Sequence, residues 1–318
     1  MGTLEGGLYE VNATLVKSAD RQLAIAGQID TTSSLLEQCQ AIWQATEDRE
    51  RDMRRARAQY PLIRVWDGRY RLQHVLRYED EASFDEPEND TGPGQIKAIF
   101  EHPSSQWFWD TYGRIERGER RDIHITVDWV GKRWSGMVDE SVVETDDLGR
   151  SVLTINLLSD YEQLKWIQVW SNPFLWCFLQ APRVFLLAGG ARWVLLTALH
   201  LNLIRLFSPI LTVPDDPLDP SSYGRPDMSN WPIVVKPVSF LDDMNAGTTW
   251  GIVASRWKTW HDMASDLLAD AELSVQPRRY LEGDPPPWPG ANLRHGCLVI
   301  DIVDKSGINE GTANGGTM

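Results

Sequence analysis

The stretch PFLWCFLQAPRVFLLAGGARWVLLTALHLNLIRLF, from Pro173 to Phe207, is the most apolar part of this 318-residue chain and decides how its fold is interpreted. Three arginines interrupt it, so its longest uncharged piece is the twelve residues from Trp193 to Ile204. A membrane-spanning helix needs about 20 apolar residues, whereas runs of about 10–14 usually belong to buried helices. The stretch therefore predicts a core helix with its flanking strand, or a surface buried against another subunit.

The composition argues against several classes of function. A net charge of −14 and a pI near 4.9 disfavour specific nucleic-acid binding, which depends on lysine and arginine neutralising phosphates. The N-terminal residues lack the pattern of a secretory signal, so we expect a soluble chain made in a cytosol. The three cysteines lack zinc-site or disulfide spacing, and we expect buried, reduced thiols. Fifteen tryptophans, against eight tyrosines and eight phenylalanines, instead indicate contact with a partner or ligand.

The first half of the chain is predicted to be a helix followed by β-strands. Residues Thr31 to Ala58 have apolar positions at helical spacing and then alternating charges, which predicts an amphipathic helix. A hairpin signal follows at Asp67-Gly68, between β-branched and aromatic residues. The runs DIHITVDWV, RWSGMVDESVVET and SVLTINLLS are strand-like and are separated by turn residues. Together they predict a meander of antiparallel strands that curls into a sandwich or barrel.

The second half is predicted to be a mixed region built around two helices. Residues Ala191 to Leu206 carry leucines along one broad face, between two glycines and a proline, which predicts a helix. Apolar spacing predicts another helix from Ser255 to Leu273. The run IVVKPVSFL predicts a strand that Pro237 confines to a sheet edge, and CLVIDIVDK predicts a buried strand. The fold class is therefore α+β and β-rich.

Motifs for catalysis are missing from the sequence, which has no nucleophile elbow, Walker loop, dinucleotide fingerprint or HExxH motif. Asp262, Asp266 and Asp270 share a helix face that could hold a hard cation, but a solvated outer face explains the spacing better. Carboxylate pairs together with many tryptophans keep a sugar-binding or sugar-cleaving site as an alternative. We predict no enzyme activity, no cofactor and no metal site, and we name no catalytic residue.

Several long blocks of this sequence resemble the minor tail proteins of long-tailed phages that infect actinobacteria. The blocks occur in order between Tyr60 and Gly316: PLIRVWDGRYRL, DIHITVDWVGKRWSGMVDE, LLSDYEQLKWIQVWSNP, QAPRVFLLAGGARWVLLTALHLNLIRL and RRYLEGDPPPWPG…GCLVIDIVDKSG. Such proteins look like tail hubs, which are trimers of small β-barrel domains that mimic the tail-tube subunit. The resemblance implies a virion protein at the tail tip, assembled in the cytoplasm of the host bacterium.

The resemblance also implies a function and partners. The chain would be a hub subunit that joins the tail tube to tip proteins and forms part of the DNA-ejection conduit. Its expected partners are copies of itself in a homotrimeric ring, the distal tail tube or distal tail protein, and other tail-tip proteins. DNA would pass through without specific binding, which suits the acidic charge. The alternative is a tail-associated protein that binds or cleaves carbohydrate on the host envelope.

These two functions make different predictions for the tryptophans. A hub would bury most of them in its domains or subunit contacts, whereas a carbohydrate-binding protein would expose tryptophan faces beside two carboxylates. The hub resemblance places the aromatic-x-Gly-x-aliphatic run from Trp134 to Val138 on a strand of the ring-forming barrel. Residues expected to serve assembly or structure are Trp134, Gly136, Arg183, Arg192, Trp193 and Arg205, with the arginines at an interface rim or in inter-subunit ion pairs.

Four regions are expected along the chain. They are an N-terminal arm with the amphipathic helix over 1–60, a tail-hub-like β-barrel domain with inserted helices over 61–165, and an α+β domain with two main helices over 166–297. Residues 298–318 would begin a further strand or linker, because relatives generally continue past this point.

Overall fold

A curled antiparallel sheet of seven strands forms the first half of the computed structural model, which describes residues 35–77, 79–119, 121–175, 179–207, 228–245 and 247–305. Its strands pair in the order β2-β1-β5-β6-β7-β4-β3, so the sheet is a half-barrel whose open edges are β2 and β3. The strands are β1 (Leu62–Asp67), β2 (Leu72–Leu76), β3 (Glu79–Phe84), β4 (Pro93–Ile99), β5 (Ile123–Trp129), β6 (Lys132–Thr145) and β7 (Ser151–Ser159).

The first hydrophobic core lies on one face of this sheet. Ile63 and Val65 of β1 stand opposite Val127 and Ile125 of β5, and all four side chains are buried. The short helices α1 (Pro103–Trp109) and α2 (Thr111–Glu116) follow β4, and Phe108 of α1 joins this core. Because side chains alternate along a strand, the other face presents polar groups of β1, β5 and β6 toward the second half of the chain.

The hairpin predicted at Asp67-Gly68 is confirmed between β1 and β2. The side chain of Asp67 is fully buried and its Oδ1 accepts hydrogen bonds from the backbone N–H groups of Arg69 and Arg71, both at 2.9 Å. Aspartate favours this position because its short side chain bonds to its own turn. The turn also places Tyr70 in the left-handed region, with a φ of 60°.

A long helix precedes the sheet and is exposed over most of its length. The helix, αN (Leu35–Arg57), matches the later part of the predicted helix, whose residues 31–34 lie outside the described residues. Ile42 and Trp43 are exposed on it. Cys39 is also exposed, so the expectation of a buried thiol is wrong there, because the described helix residues around it are themselves exposed. Cys297 is buried as expected, and Cys177 lies outside the described residues.

The second half combines a two-stranded ribbon, a three-stranded sheet and two main helices, as the predicted α+β, β-rich class requires. The ribbon pairs β8 with β10, and the sheet has the order β11-β12-β9 with β9 parallel to β12. The elements are α3 (Gln163–Trp166), β8 (Phe185–Gly190), α4 (Ala191–Phe207), β9 (Ile233–Val235), α5 (Phe240–Asn245), β10 (Trp250–Ser255), α6 (Trp260–Asp270), β11 (Leu273–Tyr280) and β12 (Cys297–Asp304).

The second core surrounds α4, which confirms the predicted helix in the apolar stretch. Leu195, Leu199 and Leu203 lie on its inner face and are fully buried. Trp260 of α6 is fully buried as well, and its Nε1–H donates to the backbone carbonyl of Leu195 at 3.1 Å. Within the described ranges, none of the helices is both long and apolar enough to cross a bilayer. The apolar stretch therefore contributes to a protein core.

Strand β11 takes the end of the predicted helix from Ser255 to Leu273, and β12 confirms the buried strand predicted for CLVIDIVDK. The predicted helix from Ser255 to Leu273 is shorter, because Ser255 ends β10 and Leu273 begins β11. The hydroxyl of Thr259 caps α6 by accepting from the N–H of Asp262 at 3.1 Å. Strand β12 lies between β9 and β11, and most of its side chains belong to the second core. It therefore completes this core. The region boundaries themselves stay a prediction.

Candidate assembly site

The outward face of the β8–β10 ribbon is apolar and open. Register pairs Leu186 with Ala254, Ala188 with Ile252 and Gly190 with Trp250, so these residues share one face. The side chains of Leu186, Ile252 and Trp250 are 68%, 69% and 62% exposed. The opposite face carries Phe185 and Val253, which are buried in the second core. An exposed patch of large apolar side chains in register is typical of a protein interaction surface.

Helix α5 supports this ribbon from the side. The ring of Phe240 contacts Trp250 edge-on with centroids 6.3 Å apart, and it contacts Trp193 with centroids 5.0 Å apart. The buried carboxylate of Asp243 accepts from the N–H of Trp193 at 3.0 Å and from the hydroxyl of Thr248 at 2.9 Å. A carboxylate at the start of α4 also suits the helix dipole. These contacts hold the apolar face in one orientation.

The three arginines of the apolar stretch have different surroundings. Arg192 forms an ion pair with Asp301 at 3.2 Å. The guanidinium of Arg205 lies 3.5 Å from the ring centroid of Trp170 and donates to the carbonyls of Pro173 and Leu175. The side chain of Arg183 is exposed beside the start of β8. Arg192 and Arg205 therefore have contacts within the chain, and Arg183 and Arg192 each lie two residues from an end of β8.

Trp134 and Gly136 lie on the core-facing side of β6 and depend on each other. A Cβ atom on Gly136 would lie 2.3 Å from the carbonyl oxygen of Leu158 and 2.6 Å from the Trp134 ring. The same ring fills the space over Gly94 on β4, where a Cβ would lie 3.0 Å from it. The Nε1–H of Trp134 donates to the carbonyl of Asp85 at 3.0 Å. Packing inside the half-barrel thus accounts for the aromatic-x-Gly pattern.

A buried ion pair joins the half-barrel to the second half of the chain. Asp160 follows β7, Arg279 lies on β11, and their side chains are 1% and 5% exposed. The guanidinium donates twice to the carboxylate, from Nε at 2.7 Å and from Nη2 at 2.6 Å. Asp160 also accepts from the hydroxyl of Ser135 on β6, and Arg279 donates to the carbonyl of Gly296 at 3.0 Å. The pair is therefore well satisfied although it is buried.

Aromatic rings surround this ion pair. The guanidinium carbon of Arg279 lies 5.0 Å from the ring centroid of Tyr70, which stacks on His124 with centroids 4.7 Å apart. The Tyr70 ring also fills the space over Gly296, where a Cβ would lie 2.1 Å from it. Trp66 contacts His295 edge-on with centroids 5.2 Å apart. The β1–β2 hairpin thus inserts its turn into the second half of the molecule.

Burial and charge change the pKa values at this junction. Burial raises the pKa of Asp160, but the charge and hydrogen bonds of Arg279 outweigh it, so the pKa lies below its usual value. Burial lowers the pKa of His124 to about 4, helped by the charge of Arg279. Asp160 is therefore ionised and His124 neutral at neutral pH, which leaves a compensated charge pair between aromatic rings.

A second ion-pair cluster extends the junction. Arg133 of β6 donates to Asp128 at 2.7 Å and to the backbone carbonyl of Arg279 at 2.9 Å. It also forms an ion pair with Asp284, and Arg64 forms one with Asp128. The polar face of the half-barrel is therefore bonded to the second half at several points.

A cavity of about 430 Å³ lies near α1 and α2, on the first half of the chain. Its lining includes the exposed rings of Trp109 and Tyr112 and the carboxylates of Asp122 and Asp139. Arg114 also lines it, and burial lowers the pKa of that guanidinium. An aromatic surface beside two carboxylates is the arrangement that the carbohydrate alternative predicts.

The described tryptophans of the single chain are divided between buried and exposed positions. Trp66, Trp231 and Trp260 are buried, and those with large exposed fractions are Trp43, Trp109, Trp129, Trp166, Trp250 and Trp257. Asp262, Asp266 and Asp270 are all exposed on α6. Among the described residues, no three histidine, cysteine or acidic side chains are grouped to hold a metal ion.

The sequence did not identify the residues that define these sites. Arg279 lies in RRY, next to a second arginine, and nothing local marks which of the two is buried. Trp250 and Ile252 lie in a run that was not assigned to a strand, because the glycine between them weakens the strand pattern. Their alternation with buried Val253 is the signal that could have indicated an exposed face.

Comparisons with known proteins give one consistent result. The family model of Siphovirus ReqiPepy6 Gp37-like proteins matches residues 62–317. The minor tail protein Gp28 of Mycobacterium phage L5 is 35% identical over 295 residues, which cover 87% of this chain and 48% of the relative. The minor tail protein Gp28 of Mycobacterium phage D29 is 34% identical over 299 residues, covering 88% and 49%. The chain thus spans about half the length of these curated relatives.

Replacing Gly136 by alanine is expected to lower the free energy of unfolding by about 2–4 kcal/mol, because the new methyl group would overlap a backbone carbonyl. Gly149→Ala is the matched control, since Gly149 has open space around it, and the strain of alanine at its positive φ of 77° should cost only about 1–2 kcal/mol. Urea unfolding of both variants measures the difference. Equal losses would show that close packing of β6 against β7 does not require glycine.

Asp160→Asn is expected to lower the free energy of unfolding by about 3–5 kcal/mol at pH 7, because it leaves the Arg279 charge buried without a counter-charge. The exposed pair of Lys97 and Glu81 is the control, and Lys97→Met should cost less than about 1 kcal/mol. Chemical unfolding of the two variants measures both effects.

The same variant makes a pH prediction. The pKa of Asp160 is depressed in the folded state, so its contribution is complete above the unfolded pKa of about 3.9 and is lost as the pH falls through the folded pKa. The difference between wild type and Asp160→Asn should therefore be constant from pH 7 to 5 and shrink below pH 4. A difference that persists unchanged into strong acid would contradict the assigned ion pair.

Proposed function

The chain belongs to the Siphovirus ReqiPepy6 Gp37-like family, and from that membership we propose that it is a hub subunit at the tip of a siphophage tail. Its relatives are minor tail proteins, so a structural role in the virion tail is the property that they share. As a hub subunit it joins the tail tube or distal tail protein to other tip proteins and forms part of the conduit for DNA ejection. This role requires no enzyme activity.

The open apolar face of the β8–β10 ribbon is the observation that best supports this role. Leu186, Ile252 and Trp250 would be costly to leave in water, at about 25 cal/mol per Å² of apolar surface. A tail subunit functions within an assembly, where contacts with neighbouring subunits bury apolar faces of this kind. The buried junction fixes the ribbon relative to the half-barrel, so a displacement of one of them moves the other.

A second copy of the chain is the proposed occupant of the ribbon. Three copies form a closed ring when a surface of each meets a different surface of the next. Helix αN supplies that second surface, because its Ile42 and Trp43 are exposed and isolated helices are only marginally stable in water. In the proposed ring, αN of one subunit lies across the ribbon of its neighbour.

The acidic charge supports passage of DNA through such a ring. A net charge of −14 repels phosphates, so DNA would traverse the conduit without being retained. Subunits of the same sign of charge also repel each other, which makes an apolar contact between them the stronger means of association.

Ile252→Asp and Trp43→Asp are each expected to convert a trimer into a monomer, because either change places a charge in the proposed contact. Light scattering across a dilution series measures the mass of each variant. Leu148→Asp is the control, since Leu148 is exposed in the turn between β6 and β7 and should leave the trimer intact. Thermal unfolding confirms that each variant is folded.

Other outcomes of the mass measurement are equally informative. If Ile252→Asp dissociates the protein and Trp43→Asp does not, the ribbons contact each other and αN is not the occupant. A wild-type chain that stays monomeric at high concentration contradicts self-association through the ribbon and leaves it for another tail protein.

The position in the virion is tested separately by gold-labelled antibody against the chain on intact virions. We expect label only at the end of the tail that is distal to the head. Label along the whole tail, or only on disrupted particles, would contradict a place at the tip.

A carbohydrate-binding role on the host envelope is the second candidate function. The cavity beside Trp109 and Tyr112 favours it, because exposed aromatic rings next to Asp122 and Asp139 suit a sugar ring and its hydroxyl groups. This cavity lies on the half-barrel unit, whereas the ribbon lies in the second half of the chain. The cavity and the ribbon lie on different parts of the subunit, so the carbohydrate-binding role is compatible with the hub role.

A further inference from the structure

We propose that the cavity near α1 and α2 binds an acidic carbohydrate, with the carboxylate of the sugar against Arg114 and its ring against Trp109 and Tyr112. This inference rests on the second candidate function and narrows it to a class of ligand. It does not depend on the hub proposal.

A buried guanidinium without an ion pair is the first support. Arg114 is 2% exposed, and the charges of Glu119, Asp110 and Asp122 act on it without a direct ion pair among the described residues. Its Nη1 donates to the carbonyl of Arg121 at 3.2 Å and its Nη2 to the hydroxyl of Thr111 at 3.4 Å, which are long hydrogen bonds. Its buried Nε has no hydrogen-bond partner. A buried cation is costly when its N–H groups are incompletely bonded, and a carboxylate bound in the cavity would add a direct partner to the more distant acidic charges.

The aromatic lining is the second support. The rings of Trp109 and Tyr112 border the cavity and are exposed to water. The ring of Trp107 instead makes a cation–π contact with the guanidinium carbon of Arg114, which lies 4.9 Å from its centroid. Rigid amphipathic rings provide contact area for the apolar faces of sugar rings at little cost in conformational entropy. The volume of about 430 Å³ lies within the range of ligand pockets, about 300–1,000 Å³.

The charges of the lining select among anions. Asp122 and Asp139 are exposed in the same cavity, so a phosphate with two negative charges would be repelled. A sugar acid carries only one negative charge and several hydroxyl groups. The two carboxylates and the hydroxyl of Ser141 can bond to those hydroxyls while Arg114 and Arg121 face the sugar carboxylate. An acidic carbohydrate therefore matches both signs of charge.

Isothermal titration with two matched probes tests this inference on the full chain. The probes are the trisaccharide of galacturonic acid and the trisaccharide of galactose, which differ in the carboxylate at C6. We expect the acidic trisaccharide to bind at least tenfold more tightly than the neutral one. Because exposed charges are screened, its affinity should fall as salt is raised from low to physiological ionic strength.

Variants assign the binding to this cavity. Trp109→Ala is expected to weaken binding of the acidic trisaccharide at least tenfold, and Trp166→Ala, which removes an exposed tryptophan elsewhere, should leave it unchanged. Arg121→Gln should weaken only the acidic probe, whereas Arg69→Gln, at an exposed arginine in the β1–β2 turn, should have no effect. These four side chains lie at or near the surface, and thermal unfolding checks that each variant is folded.

Each outcome decides a different point. Equal binding of both trisaccharides would overturn the acidic ligand while keeping the carbohydrate-binding function. Binding of neither probe would overturn both. Binding that survives Trp109→Ala and Arg121→Gln would place the ligand away from this cavity and overturn the inference.

Discussion

The buried ion pair of Asp160 and Arg279 is the constraint on which the arrangement of the molecule depends. It joins a residue that follows the last strand of the half-barrel to a residue on β11. Removing both charges from water is costly, and the cost is offset only because Ser135 and the carbonyl of Gly296 complete the hydrogen bonding. Those partners come from β6 and from the segment before β12, so one relative placement of the two halves satisfies all four groups.

The junction gives the protein directional rigidity that an apolar contact alone would lack. Apolar surfaces can slide over one another at little cost, whereas a bidentate carboxylate–guanidinium pair permits one distance and one angle. The insertion of Tyr70 over Gly296 adds a steric stop beside it. The proposed hub role would require such a fixed angle, because flexing between the two halves would absorb a displacement passed from tube to tip.

The parts of the fold that the sequence predicted are those set by local rules. The hairpin at Asp67 follows from a side chain that bonds to its own turn, and α4 follows from leucines at helical spacing. Strand β11 was missed because its Pro277 and arginines oppose a strand assignment, although Pro277 is tolerated on this edge strand. Arg279 is buried because of Asp160, 119 residues away, and no local pattern carries that information. The cavity was likewise hidden, because its rings and charges come from α1, α2, β6 and the segment before β5.

The apolar stretch shows why a sequence cannot separate a core from an interface. A strand that reads FLLAGG is apolar on both faces, which is the pattern of a strand covered on both sides. Among the described residues only one face of β8 is covered, by the core around α4, and Leu186 on the other face is left open. In the proposed ring, a neighbouring subunit covers that face. The mismatch between a two-sided apolar strand and its one-sided burial is therefore the strongest reason to place a subunit contact on the ribbon.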